Sequence, residues 1–183
     1  QKYKYSYENI NFKKFNKFKN INLIGMGGSA LGAKAIYNFF SPKIKKKFTF
    51  VDNINLKKNY NQNLKSLNLV ISKSGNTLET ISNFKSLKNK KNNLFICENS
   101  NNQIRNLAKK LKSDIIDHRN YIGGRYSVLS EVGMLPALLM GLNPKKFKRF
   151  DNLIKNKRFI NSLISNVIST VALIKKKKYN SII

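Results

Sequence analysis

Three short loops in this 183-residue chain concentrate the residue types that hold anions. The first is Gly25-Met26-Gly27-Gly28-Ser29, between an apolar strand-like run and a helix-like run. Glycines there let backbone amides approach a ligand, and the following helix N-terminus attracts negative charge. Ser29 either caps that helix or meets the ligand. The second loop is Ser72-Lys73-Ser74-Gly75-Asn76-Thr77, which places three hydroxyls and an ammonium within six residues. Hydroxyls and amides at a helix start suit a phosphate monoester. The third is Gly123-Gly124-Arg125-Tyr126-Ser127. A positive charge beside a helix N-terminus is unfavourable by itself. Arg125 in that place points to an oxyanion or an acidic ligand.

Each loop also has a plainer reading. The first is a tight turn with Ser29 as N-cap, the second a Ser/Thr-rich turn, the third a surface arginine. A dinucleotide reading stays open as well. Gly25, Gly27 and Ala30 fit G-x-G-x-x-A, and Asp52 ends the next strand where a ribose-binding acid belongs.

The elements that must carry these loops alternate. Strands are expected at 21–24, 48–51, 69–71, 94–97 and 115–116. Helices are expected at 30–40 (Leu31, Ala35 and Phe39 on one face), from 77 to about 90, at 102–112 and at 127–141. Such alternation predicts an α/β fold, a three-layer sandwich with a parallel sheet of about five strands. Ligands then sit beyond the carboxyl ends of the strands, where all three loops fall. Residues 1–20 form a lead-in with a Phe12, Phe15, Phe18 stripe that packs downstream. Residues 21–142 form the sheet domain, and 143–183 a helical extension.

Composition bounds the remainder. Hydrophobic residues make up 41%, enough for a core. No apolar run reaches the ~18 residues of a membrane helix. One cysteine, Cys97, and one histidine, His118, exclude an internal disulfide and a multi-histidine or Cys-cluster metal site. Both are read as structural, and a reducing, cytoplasmic setting follows. The net charge is +28, yet 31 of the 36 basic residues are lysine. Nucleic-acid readers rely on arginine. Lys, Asn, Ile, Phe and Tyr are also the residues of AT-rich codons. Solvated lysine faces are favoured over a nucleic-acid surface.

Taken together, the loops resemble the sugar isomerase (SIS) domain and, within it, the glucose-6-phosphate isomerase family. The stretches that carry the resemblance are Ile24 to Gly32, Ser72 to Thr80, and Gly123 through Glu131 to Gly133. The third is the most specific. The second reads Ser-Gly-Asn-Thr, closer to the general SIS form than to the Thr-Phe-Thr-Thr form common in this family. The resemblance implies that Ser72, Lys73, Ser74 and Thr77 hold a sugar phosphate. It implies that Gly28 and Ser29 contact the substrate, with Glu79 and Gly124 in support. Arg125 would stabilise an enediolate while a proton moves between C1 and C2. It further implies a cofactor-free homodimer interconverting glucose 6-phosphate and fructose 6-phosphate. The family's catalytic Glu, His and Lys lie in a second SIS domain, and neither His118, Glu79 nor Glu131 matches them. Glu131 reads as a helix residue one turn beyond Arg125. The chain starts at Gln1 and its last residues, Asn180 to Ile183, read as the opening of a further strand, so a fragment is expected. Such a fragment would leave Leu153, Ile154, Leu163, Ile164, Val167, Ile168, Val171 and Leu173 exposed. Other sugar-phosphate isomerases or sensors of the same fold, and a Rossmann NAD domain, are the competing readings.

Overall fold

A computed structural model describes residues 3–8, 10–54, 65–148 and 151–176. The expected strand at the chain's end lies outside these residues. The chain divides into two compact units, Gln1–Pro144 and Lys145–Ile183.

The first unit holds five strands: β1 (Asn20–Ile24), β2 (Lys47–Val51), β3 (Ser66–Ile71), β4 (Asn93–Glu98) and β5 (Asp114–His118). All pair in parallel, in the order β2-β1-β3-β4-β5. The helices are α1 (Lys13–Asn16), α2 (Leu31–Phe40), α3 (Leu78–Lys85), α4 (Gln103–Lys110) and α5 (Glu131–Leu139). Right-handed crossovers decide their faces. The step from β1 to β2 runs opposite to the steps from β3 to β4 and β4 to β5. Hence α2 covers one face while α3 and α4 cover the other. Ile24, Val70, Phe95 and Cys97 pack there with Ile81, Phe84, Ile104 and Ala108. Cys97 is therefore core, and burial pushes its thiol pKa up.

The strands run longer than their apolar stretches suggest. Asn68 interrupts β3, yet it is buried. It lies in register between Asn22 of β1 and Asn93 of β4. The Asn22 amide donates to the Asn68 carbonyl at 3.0 Å, and the Asn68 amide donates to the Asn93 carbonyl at 3.0 Å. This row satisfies polar groups inside the sheet and so permits them in β3.

Three expectations are corrected. The buried face of α2 carries Ala33 and Ile36, while Leu31 and Phe39 are 58% and 79% exposed and Ala35 is exposed too. Tyr37, one position beyond Ile36, packs on Phe48 and Phe50 of β2 and selects that face. The helix expected at 127–141 is two elements: a 3₁₀ segment, Gly124–Leu129, and α5. Ser130 breaks them apart in extended conformation, donating to the Ser127 carbonyl at 2.6 Å and accepting from Val132 N. In the lead-in, α1 spans four residues only; Phe15 and Phe18 are buried and Phe12 half-buried.

Glu131 opens α5 and is fully buried. Tyr3 Oη donates to its carboxylate at 2.6 Å, Ser6 N at 3.0 Å and Ser6 Oγ at 3.2 Å. His118 Nδ1 lies 3.9 Å away. Tyr5, stacked on Tyr7, donates to the Leu129 carbonyl. The N-terminal segment is thereby strapped across the start of α5. The helix dipole also favours an anion there. Burial raises the carboxyl pKa, but the neighbouring His118 and the donors Tyr3 and Ser6 outweigh it and hold it at about 2.

A 3₁₀ turn spans Pro144–Lys148, and the second unit carries α6 (Asp151–Ile154) and α7 (Lys157–Lys175). Asn156 caps α7 by accepting from Phe159 N at 3.2 Å. Its apolar residues Leu163, Ile164, Val167, Ile168, Val171 and Leu173 are exposed, as are Leu153 and Ile154. Among the described residues no helix is long and apolar enough to cross a membrane.

The Glu131 clamp makes a pH prediction. A carboxyl whose folded pKa is depressed contributes stability above its unfolded value, about 4.3, and loses it as pH falls towards about 2. On the order of 3 kcal/mol should disappear across that window. Glu131→Gln should be a few kcal/mol less stable at pH 7 and lack this part of the slope. Urea unfolding from pH 7 to pH 2 measures both; identical slopes would contradict the clamp.

Candidate functional site

Strand order locates the site. The connections leaving β1 and β3 diverge between these adjacent strands, opening a crevice beyond their carboxyl ends. The loop 25–29 leaves β1, and the loop 72–77 leaves β3. They start side by side: a β-carbon on Gly25 would lie 2.9 Å from the carbonyl oxygen of Ile71, the last residue of β3. The third loop leaves β5, at the sheet's far side, and folds back over the first. A β-carbon on Gly28 would lie 2.2 Å from the Gly124 carbonyl oxygen. Ser127 Oγ, buried, donates to the carbonyls of Gly124 at 2.7 Å and Gly28 at 3.3 Å. The expected loops therefore share one edge, with Gly28 and Ser29 adjoining Gly124 and the exposed Arg125.

Helix caps distinguish the two loops of the crevice. The first N–H groups of any helix lack intrahelical partners. In α4 the Asn102 carbonyl accepts from Arg105 N, and in α5 Ser130 accepts from Val132 N. Among the described residues no side chain caps α2 or α3. Ser29 is not an N-cap: it ends a 3₁₀ turn, Gly27–Ser29, and Ala30 takes the cap position. Thr77 stands at the N-cap of α3, but its hydroxyl is turned to Ser72 Oγ at 3.0 Å. Both uncapped helix starts face the crevice that the strand order creates. Their amides and the hydroxyls of Ser29, Ser72, Ser74 and Thr77 are groups of the kind that donate to an anion.

The loop 72–77 is tightly ordered. Gly75 N donates to the carbonyl and the hydroxyl of Ser72, each at 3.2 Å, and Asn76 N donates to Ser74 Oγ at 3.3 Å. Ser72 is buried, whereas Ser74 is exposed and Thr77 half-buried. Lys73 lies half-buried with its ammonium 3.5 Å from Glu98. Glu79 occupies the first turn of α3, half-buried. Asn102, which the motifs do not single out, lies against Gly75; its only sequence signal is an Asn before the apolar period of α4.

Asp52 directly follows β2, but its carboxylate binds Lys34 Nζ of α2 at 2.6 Å. The dinucleotide arrangement places its first three strands successively to one side. Here β3 lies on the other side of β1 from β2. His118 is buried beside Glu131, far along the sheet from β1.

A family profile described as phosphoglucose isomerase matches residues 8–182. The glucose-6-phosphate isomerase of Methanocaldococcus jannaschii is 32% identical over 181 residues, covering 88% of this chain and 44% of that protein. That of Mycoplasmopsis synoviae is 33% identical over 191 residues, covering 90% and 44%. The chain thus spans less than half the length of these relatives. Among solved structures, a hypothetical protein of Thermus thermophilus superimposes with TM-score 0.63 at 24% identity, over 76% of this chain and 39% of that one. Tagatose-6-phosphate ketose/aldose isomerase of Escherichia coli gives TM-score 0.58 at 16% identity, over 81% and 43%. These two likenesses concern the fold.

The contact between the first and third loops predicts an asymmetry. Gly28→Ala must push the Gly124 carbonyl away and should cost about 1–3 kcal/mol. Gly124→Ala meets nothing within 4 Å and should leave stability within about 0.5 kcal/mol. Denaturant unfolding of both variants decides; equal effects would show that the loops do not abut.

Proposed function

Since the chain belongs to the phosphoglucose isomerase family, we propose that it supplies the sugar-phosphate half of an enzyme interconverting glucose 6-phosphate and fructose 6-phosphate. The observation that carries this reading is the pair of uncapped helix starts at the β1/β3 crevice, ringed by hydroxyls. A phosphate dianion fits such a donor set, because amide dipoles and hydroxyls compensate its lost hydration.

In this proposal Ser72, Ser74 and Thr77 donate to the phosphate with the first amides of α3, and Lys73 adds positive potential. Gly28 and Ser29 meet the sugar from the β1 side. Arg125, carried by the 3₁₀ segment against Gly28, faces the sugar carbons. The reaction moves a proton from C2 of the open-chain aldose to C1, through an enediolate with charge on the oxygens. A fixed guanidinium stabilises that charge most where it is greatest, in the transition state. Glu79 and Gly124 support the loops. The proton-carrying base belongs to a second SIS domain of the complete enzyme, which we take to be a cytoplasmic homodimer. On this reading residues 21–142 are the first SIS domain and 143–183 lead to the second. The 183 residues alone then bind sugar phosphate without turning it over, since a positioned base typically contributes ~100- to 10,000-fold.

The test is a titration of this chain with fructose 6-phosphate. Replacing Ser72 and Thr77 together by Ala should weaken binding by roughly 1–3 kcal/mol, about 5- to 160-fold. Equal affinity in both proteins would remove the phosphate from this loop, and binding of NAD that requires Asp52 would replace the reading.

A further inference from the structure

We propose that Asn102 is a positioning residue for the sugar-phosphate loop, acting through Gly75 as the brace that holds 72–77 in its binding shape. This rests on the functional reading above, and it concerns a residue of β4–α4 rather than of the loop itself.

The loop does not hold its shape alone. Gly75 adopts φ +68°, a left-handed conformation favoured by glycine, and it is buried. The Asn102 carboxamide fills the space over it: a β-carbon on Gly75 would lie 2.0 Å from Asn102 Oδ1 and 2.1 Å from its Cγ. Asn102 is itself only 3% exposed, and its orientation is fixed at both ends. Oδ1 accepts from Arg105 N at 2.8 Å. Nδ2 donates to the Glu98 carbonyl at 3.2 Å, and to the Ser100 carbonyl and hydroxyl at 3.1 and 3.2 Å.

The two amides before Arg105 serve the loop directly. Gln103 N donates to Asn76 Oδ1 at 3.0 Å, and Ile104 N donates to the Gly75 carbonyl at 2.9 Å. Three successive N–H groups at the start of α4 are thus assigned: one to Asn76, one to Gly75, one to Asn102. On the loop's other side, Glu98 N donates to the Lys73 carbonyl at 3.0 Å. The start of α4 therefore serves as scaffold, whereas the start of α3 keeps its amides for a ligand. Asn102 is what places α4 and Gly75 against each other. Without the carboxamide, Gly75 has room to leave its conformation, and Ser72 and Ser74 lose the amides that orient their hydroxyls.

Two variants separate this role from ordinary capping. A serine at an N-cap still accepts from the helix amides. Asn102→Ser therefore keeps α4 capped but has no carboxamide to lie over Gly75; Asn102→Ala loses both. Each is examined by thermal unfolding, by titration with fructose 6-phosphate, and by hydrogen exchange at the Gly75 and Ile104 amides. We expect Asn102→Ala to unfold earlier and bind about tenfold more weakly. Asn102→Ser should recover the unfolding temperature, remain about as weak a binder, and exchange faster at both amides. Full affinity in Asn102→Ser would overturn the proposal, since capping alone would then suffice. If Asn102→Ala does not fold, Asn102→Ser decides by the same criteria. If the unsubstituted chain binds no sugar phosphate, the functional reading fails, and exchange judges Asn102 separately. Faster exchange in Asn102→Ser upholds its hold on the loop, and unchanged exchange overturns it.

Discussion

Asn22, Asn68 and Asn93 stand side by side on three neighbouring strands, joined by carboxamide hydrogen bonds of 3.0 Å. A slip of one residue would turn each side chain to the opposite face. It would also leave buried amides unpaired, at about 1–3 kcal/mol each. The row therefore fixes the register of β1, β3 and β4. With Asn22 opposite Asn68, Ile24 falls opposite Val70, and β3 ends one residue beyond β1. The loops 25–29 and 72–77 then emerge next to each other, which the proposed chemistry requires.

The third loop is brought in by a different device. It follows β5, two strands away from β3, and reaches the first loop only because Gly28 carries no side chain that would push the Gly124 carbonyl away. Its other end is held by α5, whose first residue, Glu131, ties the N-terminal strap to the domain. Arg125 thus sits between a glycine contact and a buried carboxylate. Glu131 does not touch the proposed ligand, yet it and the glycine contact together determine where the guanidinium can be.

Much of this was legible in the sequence. The strand–helix alternation, the parallel sheet and the common edge of the loops follow from periodicity and from the rule for connections in such sheets. The features that escaped are those fixed by distant partners. Helix α2 offers two apolar stripes, and only the packing of Tyr37 on Phe48 and Phe50 selects one. The run from 127 to 141 is apolar enough for one helix, and only the Ser127–Ser130 bond shows the break. Asn68 looks like the end of an apolar run until its partners 46 and 25 residues away are known. Glu131 reads as an ordinary helix residue because Tyr3 and Ser6, its donors, lie more than 120 residues earlier. At the site itself, the motifs announce Ser72 to Thr77, while the asparagine that shapes them is visible only once α4 is placed.

The central claim is that the crevice between β1 and β3 takes the phosphate of a sugar phosphate. A crystal structure of this chain with fructose 6-phosphate tests it most directly. The account predicts the phosphate at the start of α3, accepting from the hydroxyls of Ser72, Ser74 and Thr77, with the sugar directed towards Ser29 and Arg125. A phosphate bound instead beside Asp52, or at the opposite edge of the sheet among Lys14, Lys17 and Lys112, would contradict it.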